Sequence, residues 1–331
     1  MVNYRQCFFL AVLVTFRFKA YYSEARFRYI SPGLESSFRL QRSKNEIIKK
    51  TAVFLGNKFN FFIDTSDGIN EDIGRKEYCG RILRIVQDYP EKPFLYLKTN
   101  HSPFYSSNID DIAVQHNGTV MPCYIWTFRP GFYDHIIPNL NELRLLVIKE
   151  EKKFDVGFMG SIDPYRYPKP NYANPLVAWK DYKALKIGSP VPTGYYEISS
   201  RKVLYDLLRT QTNFFYGNGK PFVEYIKNSV EWKVCFNPPG IGEFTARAFI
   251  HSALGQPVFM RKNTYDNPIS WKSFWPEVDF GLNNWSVRVE EVVEQYREWG
   301  EKSMYYFENH LQPQHIVKYI VEEVEKFEAS L

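Results

Sequence analysis

Apolar residues recur along this chain in short blocks, and the spacing switches between strand-like and helix-like in a regular alternation. The clearest passage is Lys233 to Met260. Lys233 to Phe236 reads as a buried strand, Pro238, Pro239, Gly240 and Gly242 break it, and Glu243 to Leu254 sets Phe244, Ala248, Phe249 and Ala253 at helical spacing. Gly255 and then Pro257 stop that helix before a second buried strand. Upstream, the pattern predicts a strand over Phe154 to Met159, a helix over Arg201 to Arg209, a strand over Asn213 to Tyr216 and a helix over Pro221 to Asn228. Downstream, Val287 to Trp299 and His315 to Phe327 read as amphipathic helices, the second with Ile316, Ile320, Val324 and Phe327 in register.

The first half alternates in the same way. Strands are expected over Lys58 to Asp64 and Phe94 to Lys98, a helix over Arg75 to Gln87, and further strands over Ile112 to Gln115 and Cys123 to Phe128. Strand and helix in alternation predict an α/β protein built on open, largely parallel, doubly wound sheets. Residues 1–45 are basic, aromatic and weakly periodic, so they read as a lead-in to a first domain over 46–150. The charged run Lys149 to Lys153 reads as a linker to a second domain over 151–300, followed by C-terminal helices over 301–331. Residues 162–200 carry many prolines and tyrosines, which suits a binding flap more than a floppy insertion.

Composition narrows the picture only modestly. A chain of 331 residues with 44% hydrophobic and 18% aromatic residues can bury two cores and has rings to spare for stacking on sugars. The net charge of +5 is spread out, so it suits anionic ligands without calling for nucleic acid. Cys7, Cys79, Cys123 and Cys235 form no C-x-x-C pair, so neither a zinc site nor a disulfide framework is indicated and a reducing, cytoplasmic setting is expected. The apolar stretch Cys7 to Phe16 is too short to span ~30 Å of hydrocarbon. Read instead as the core of a signal sequence, it would give meaning to the sequons at Asn100, Asn117 and Asn284.

Candidate chemistry gathers at two places. Gly240 and Gly242 would let backbone amides at a helix N-terminus approach an anion, and Thr245 and Arg247 add a hydroxyl and a forked cation, a set suited to a diphosphate. The same residues also read as a glycine-capped packing helix with a solvated arginine. In the first half, Asp64 ends a strand and Asp67, Glu71 and Asp72 follow directly on it, where a general base or a self-satisfied Asp turn would each fit.

Phe154-Asp-Val-Gly-Phe-Met-Gly-Ser161, Lys233-Val-Cys-Phe236, Pro239-Gly240, Thr245-Ala-Arg247 and Gly255-Gln-Pro-Val258 together resemble the GT-B glycosyltransferases, specifically their exostosin-type and Cap10-like branches. The likeness covers about 110 residues of the second half by motif and the first half by layout. It departs in having Thr-Ala-Arg where Ser-x-Arg is usual.

The resemblance implies two Rossmann-like domains facing a cleft, with the last helix packing back on the first. It also implies inverting transfer of a sugar, xylose among those expected, from a UDP-linked donor to a glycan hydroxyl. Arg247 would bind the donor diphosphate, helped by Thr245, Pro239 and the Gly240 to Gly242 amides, with Gly160 and Ser161 bordering the phosphates and Glu243 near the ribose or donor sugar. The base would come from the first domain: Asp67 first, then Asp72 or Asp64, with His101 and His135 also in range. No Asp-x-Asp motif accompanies them, so no metal and no cofactor is expected, and the partners are a UDP-sugar and a glycan with no nucleic acid and no membrane span. A non-catalytic carbohydrate-binding protein on the same fold is the competing expectation.

Overall fold

The computed structural model describes residues 39–41, 51–64, 87–88, 91–99, 101, 110–124, 136–160, 204–217, 221–238, 246–262, 267–280 and 283–331. The expected helix over 75–87 and the Tyr/Pro segment over 162–200 lie outside them, apart from residue 87. Among the described residues no helix is long and apolar enough to cross a membrane. The chain divides into two compact units, the first comprising Met1–Phe128, Tyr265–Ile269 and His310–Leu331 and the second Arg129–Thr264 and Ser270–Asn309.

Unit 1 is built on a five-stranded sheet in which β1 (Arg39–Gln41), β2 (Thr51–Leu55), β3 (Asn60–Asp64), β4 (Phe94–Thr99) and β5 (Gly118–Cys123) lie in sequence order. The first two pairings are antiparallel and the last two parallel, so this sheet is mixed where the alternation predicted a largely parallel one. The tight Leu55–Asn60 connection explains the β2–β3 pairing, because a few residues can close an antiparallel hairpin but not a parallel crossover. In the centre, Phe61, Phe62, Ile63, Leu95, Tyr96 and Leu97 are all fully buried, as expected of strands covered on both faces. Phe54 and Phe61 stack across β2 and β3 with centroids 4.1 Å apart.

Residues 110–115 are helical, Ile112 to Gln115 among them where the pattern predicts a strand, and they lie in the crossover from β4 to β5. Ala113 is buried and Ile112 half-buried while Val114 is 70% exposed, so only a narrow apolar face meets the core. Asn117, at φ 57, then turns the chain in the left-handed region, and its carbonyl accepts from Phe94 N–H. Strand β5 therefore starts earlier than expected, and Gly118 begins it because a Cβ there would fall 2.1 Å from Phe94 Cζ. The last helix of the chain, Pro313–Ser330, belongs to this unit: Ile316, Ile320 and Val324 are buried, Phe327 meets Phe59 edge-on at 5.1 Å, and Tyr319 Oη donates to Pro122 O at 2.7 Å.

Unit 2 holds a fully parallel five-stranded sheet with β6 (Phe154–Met159), β7 (Phe214–Gly217), β8 (Trp232–Asn237), β9 (Val258–Arg261) and β10 (Glu277–Val278) in the order β7-β6-β8-β9-β10. Its helices are α1 (Leu140–Lys149), the turns at 204–211, α2 (Phe222–Ser229), α3 (Ala246–Leu254), α4 (Trp285–Glu294) and α5 (Tyr296–Tyr306); the helix of unit 1 over Pro313–Ser330 is α6. The expected strand–helix–strand unit is β8–α3–β9. Gly255, at φ 73, closes α3: its N–H donates to Ser252 O and Gln256 N–H to His251 O, the two bonds of a Schellman ending.

Gly157 sits where a Cβ would fall 1.9 Å from Trp232 Cδ2, so its bareness lets the fully buried indole lie against β6. Helix α1 belongs to unit 2, so the division falls at Phe128/Arg129 and not in the charged run 149–153. Those lysines are used locally: Lys152 Nζ donates to Val230 O at 2.6 Å and also to Val147 O, and Lys153 pairs with Glu231 at 2.6 Å. Burial, opposed by the Glu150 carboxylate, lowers Lys152 to about 8.

Candidate functional site

The strand order of unit 2 singles out one end of its sheet. Counted from β6, the strands lie 2-1-3-4-5, so connections leave β6 and β8 in opposite directions and open a crevice beyond their carboxyl ends. Gly160 follows β6 there, Asn237 ends β8, and Arg247 stands on the first turn of α3, which leaves β8.

Arg247 and Gly160, distant in the chain, come together at this crevice. The guanidinium carbon lies 4.9 Å from the Phe158 ring centroid, and Nη1 lies 3.2 Å from where a Cβ on Gly160 would be. A side chain at 160 would meet that cation. The Gly160 N–H is spent on Gly217 O at 3.0 Å, and its carbonyl accepts from Tyr216 Oη at 3.1 Å. Gly160 therefore contributes space, and a turn pinned by Tyr216, in place of a free amide. Tyr216, Asn237 and the nearly buried Arg261 at the ends of β7, β8 and β9 escaped the sequence reading. Nothing in their spacing marks them; only the strand order does. Asn237 Nδ2 rests on Met260 Sδ at 3.0 Å, and Lys262 pairs with Asp279 at 3.0 Å.

Below Arg247 lies a closed polar network. Gln256 Nε2 donates to Ser229 O at 2.6 Å, so its Oε1 accepts, and it lies 2.8 Å from His251 Nδ1. That nitrogen therefore carries the ring proton, and Nε2 accepts from the Tyr225 hydroxyl. Burial first, and then the Arg247 charge against the pull of Gln256, lowers His251 to about 4; burial also pushes the Cys235 thiol far up, with Arg247 opposing it. A neutral, doubly bonded imidazole and an inert thiol make this a structural floor.

Of the other residues expected at the donor site, Ser161, Pro239, Gly240, Gly242, Glu243 and Thr245 lie outside the described residues, as do Asp67, Glu71, Asp72 and His135. Asp64 ends β3 in register with Lys98 of β4, and its side chain is likewise outside.

His101 is described, in unit 1, just past β4. It is buried, and its Nε2 lies 3.7 Å from Oδ1 of Asp110, the first residue of the 110–115 helix. Both ring nitrogens and that oxygen have no hydrogen-bond partner. Cys123 is a buried free thiol, pushed up to about 12 by burial with its own backbone neighbour and Lys98 opposing. Among the described residues no three His, Cys, Asp or Glu side chains are grouped to hold a metal ion. Comparison with protein-family models, with curated proteins and with solved structures found no match to this chain.

Proposed function

We propose that this chain is a GT-B-type glycosyltransferase that moves a sugar, with xylose the first candidate, from a UDP-linked donor to a glycan hydroxyl with inversion. The observation that carries the reading is the approach of Arg247 to Gly160 beyond the ends of β6 and β8. Parallel α/β sheets take ligands at such a point, and a forked cation beside a bare turn suits a diphosphate.

In this reading Arg247 holds the diphosphate and stabilises the negative charge that grows on it as the bond to the anomeric carbon breaks. Stacked under its guanidinium, Phe158 restricts the fork, so little side-chain freedom is left to lose on binding. The acceptor hydroxyl needs a base on the face opposite the leaving nucleotide.

The test is a thermal-shift screen of UDP and UDP-sugars on the full chain, followed by assay of UDP release from each donor that binds. A ligand that binds only the folded protein raises its stability by RT ln(1 + [L]/Kd). A UDP-sugar is expected to stabilise the chain and to be turned over. Stabilisation without turnover would leave the carbohydrate-binding alternative, and the absence of both effects would refute the proposal.

A further inference from the structure

Both backbone polar groups of Gly160 are tied to one neighbouring strand. Its N–H donates to Gly217 O at 3.0 Å and its carbonyl accepts from Tyr216 Oη at 3.1 Å. The first bond continues the parallel ladder, in which Met159 stands beside Gly217. The second comes from a side chain, and phenylalanine at 216 would pack the same ring without it. Tyr216 also reaches the other half of the crevice. In the β6–β7 register it stands beside Phe158, and the two rings stack with centroids 6.2 Å apart and planes 25° apart. Phe158 in turn carries the Arg247 guanidinium at 4.9 Å. Tyr205, from the helical turns at 204–211, packs edge-on against Tyr216 at 5.0 Å and helps to fix its ring. One half-buried side chain therefore touches both the turn and the ring on which the cation rests.

We infer that Tyr216 is a positioning residue of the diphosphate site, fixing the Gly160 turn in the place that leaves the Arg247 fork open to the ligand; this rests on the glycosyltransferase reading above. While the phenol holds the Gly160 carbonyl, the negative end of that peptide dipole is turned to β7. Released, the carbonyl is free to swing towards a bound anion, which it would repel. A shift of the turn the other way would crowd Arg247, whose Nη1 already lies 3.2 Å from the Cβ position of Gly160. Tyr216 needs no contact with the ligand, because its effect passes through Gly160 and Arg247. Binding sites depend in this way on the side chains that lock their contacting groups.

The experiment measures UDP affinity by titration calorimetry on the full chain and on Tyr216→Phe, Arg247→Ala and the double variant, with the melting temperature of each in the absence of UDP. Phenylalanine keeps the ring against Phe158 and Tyr205 and removes only the hydroxyl. Tyr216→Phe is expected to weaken UDP binding by ~3- to 10-fold, the worth of one hydrogen bond, while its melting temperature falls by no more than about 3 °C. Because Tyr216 acts through the placing of Arg247, the double variant is expected to bind UDP within about twofold of Arg247→Ala alone. A merely structural tyrosine would lower the melting temperature and leave the two losses of affinity to multiply.

UDP affinity of Tyr216→Phe within about twofold of wild type, with Arg247→Ala weakened, overturns the inference and leaves the donor reading standing. Losses that multiply in the double variant overturn it in the same way, as does a larger fall in the melting temperature of Tyr216→Phe. If Arg247→Ala abolishes measurable binding, Arg247→Lys replaces it in the cycle under the same criteria. A wild-type chain that does not bind UDP, or that binds it as tightly after Arg247→Ala, overturns the donor reading and this inference with it.

Discussion

Acid should loosen unit 2 through His251. The imidazole is enclosed by Tyr225, Gln256 and Trp232, with Cys235 and the Arg247 cation near by, and its value falls from an ordinary 6.5 to about 4. In the unfolded chain it titrates near 6.5, so between 6.5 and 4 the unfolded state binds a proton that the folded state refuses. The associated stability is therefore fully present above pH 6.5, and falls as pH drops towards 4, below which this group adds no further loss.

Integrated from about pH 7.5 down to pH 5, where most carboxylates are still ionised, the loss is about 2 kcal/mol. Urea unfolding followed by tryptophan fluorescence reads it, because Trp232, Trp271, Trp275, Trp285 and Trp299 all lie in unit 2. His251→Gln removes the titrating group and is less stable at neutral pH, since Tyr225 and Gln256 lose a partner. Its stability should change less over the same interval by about that 2 kcal/mol. Equal acid sensitivity in the wild type and His251→Gln would refute the reasoning and place the acid-labile group elsewhere.

Other expectations follow from single contacts. Arg247→Ala should weaken UDP binding by ~1.5–3 kcal/mol, roughly 10- to 100-fold, with little change in melting temperature, as titration calorimetry would show; unchanged affinity would move the phosphate site elsewhere. Gly157→Ala should destabilise unit 2 by at least ~1–3 kcal/mol, because a Cβ 1.9 Å from Trp232 must displace an indole packed on all sides, and a chemical melt like that of the wild type would contradict this. Gly255→Ala, at φ 73 in the ending of α3, should cost about 1 kcal/mol in the same assay, and no cost would mean that the turn relaxes freely. Transfer is expected to persist in excess chelator, an expectation motivated by the missing Asp-x-Asp motif; abolition on chelation with recovery on adding manganese or magnesium would refute it.

Several elements were legible because their signal is local. The β8–α3–β9 unit, with its ending at Gly255, and the buried stripe Ile316, Ile320, Val324 of α6 are written in spacings of two, three or four residues and in one glycine, and any chain with that spacing presents the same faces. By that local pattern the sequence put Arg247 on the first turn of a helix leaving a buried strand. Spacing did not say that residues 110–115 would coil, since one buried alanine satisfies a helix and a strand alike.

Strand order and pairing sense were decided only by the tertiary structure. They depend on which faces cover which, a sum over contacts distant in the chain: β2 turns back along β3, while β6 takes β7 on one side and β8 on the other. That arrangement brings Arg247 against Gly160. In the same way, the chain passing from β4 through the 110–115 helix leaves His101 facing Asp110 with no other partner. An unsatisfied buried atom is a property of everything around it, so no window of sequence could have displayed it.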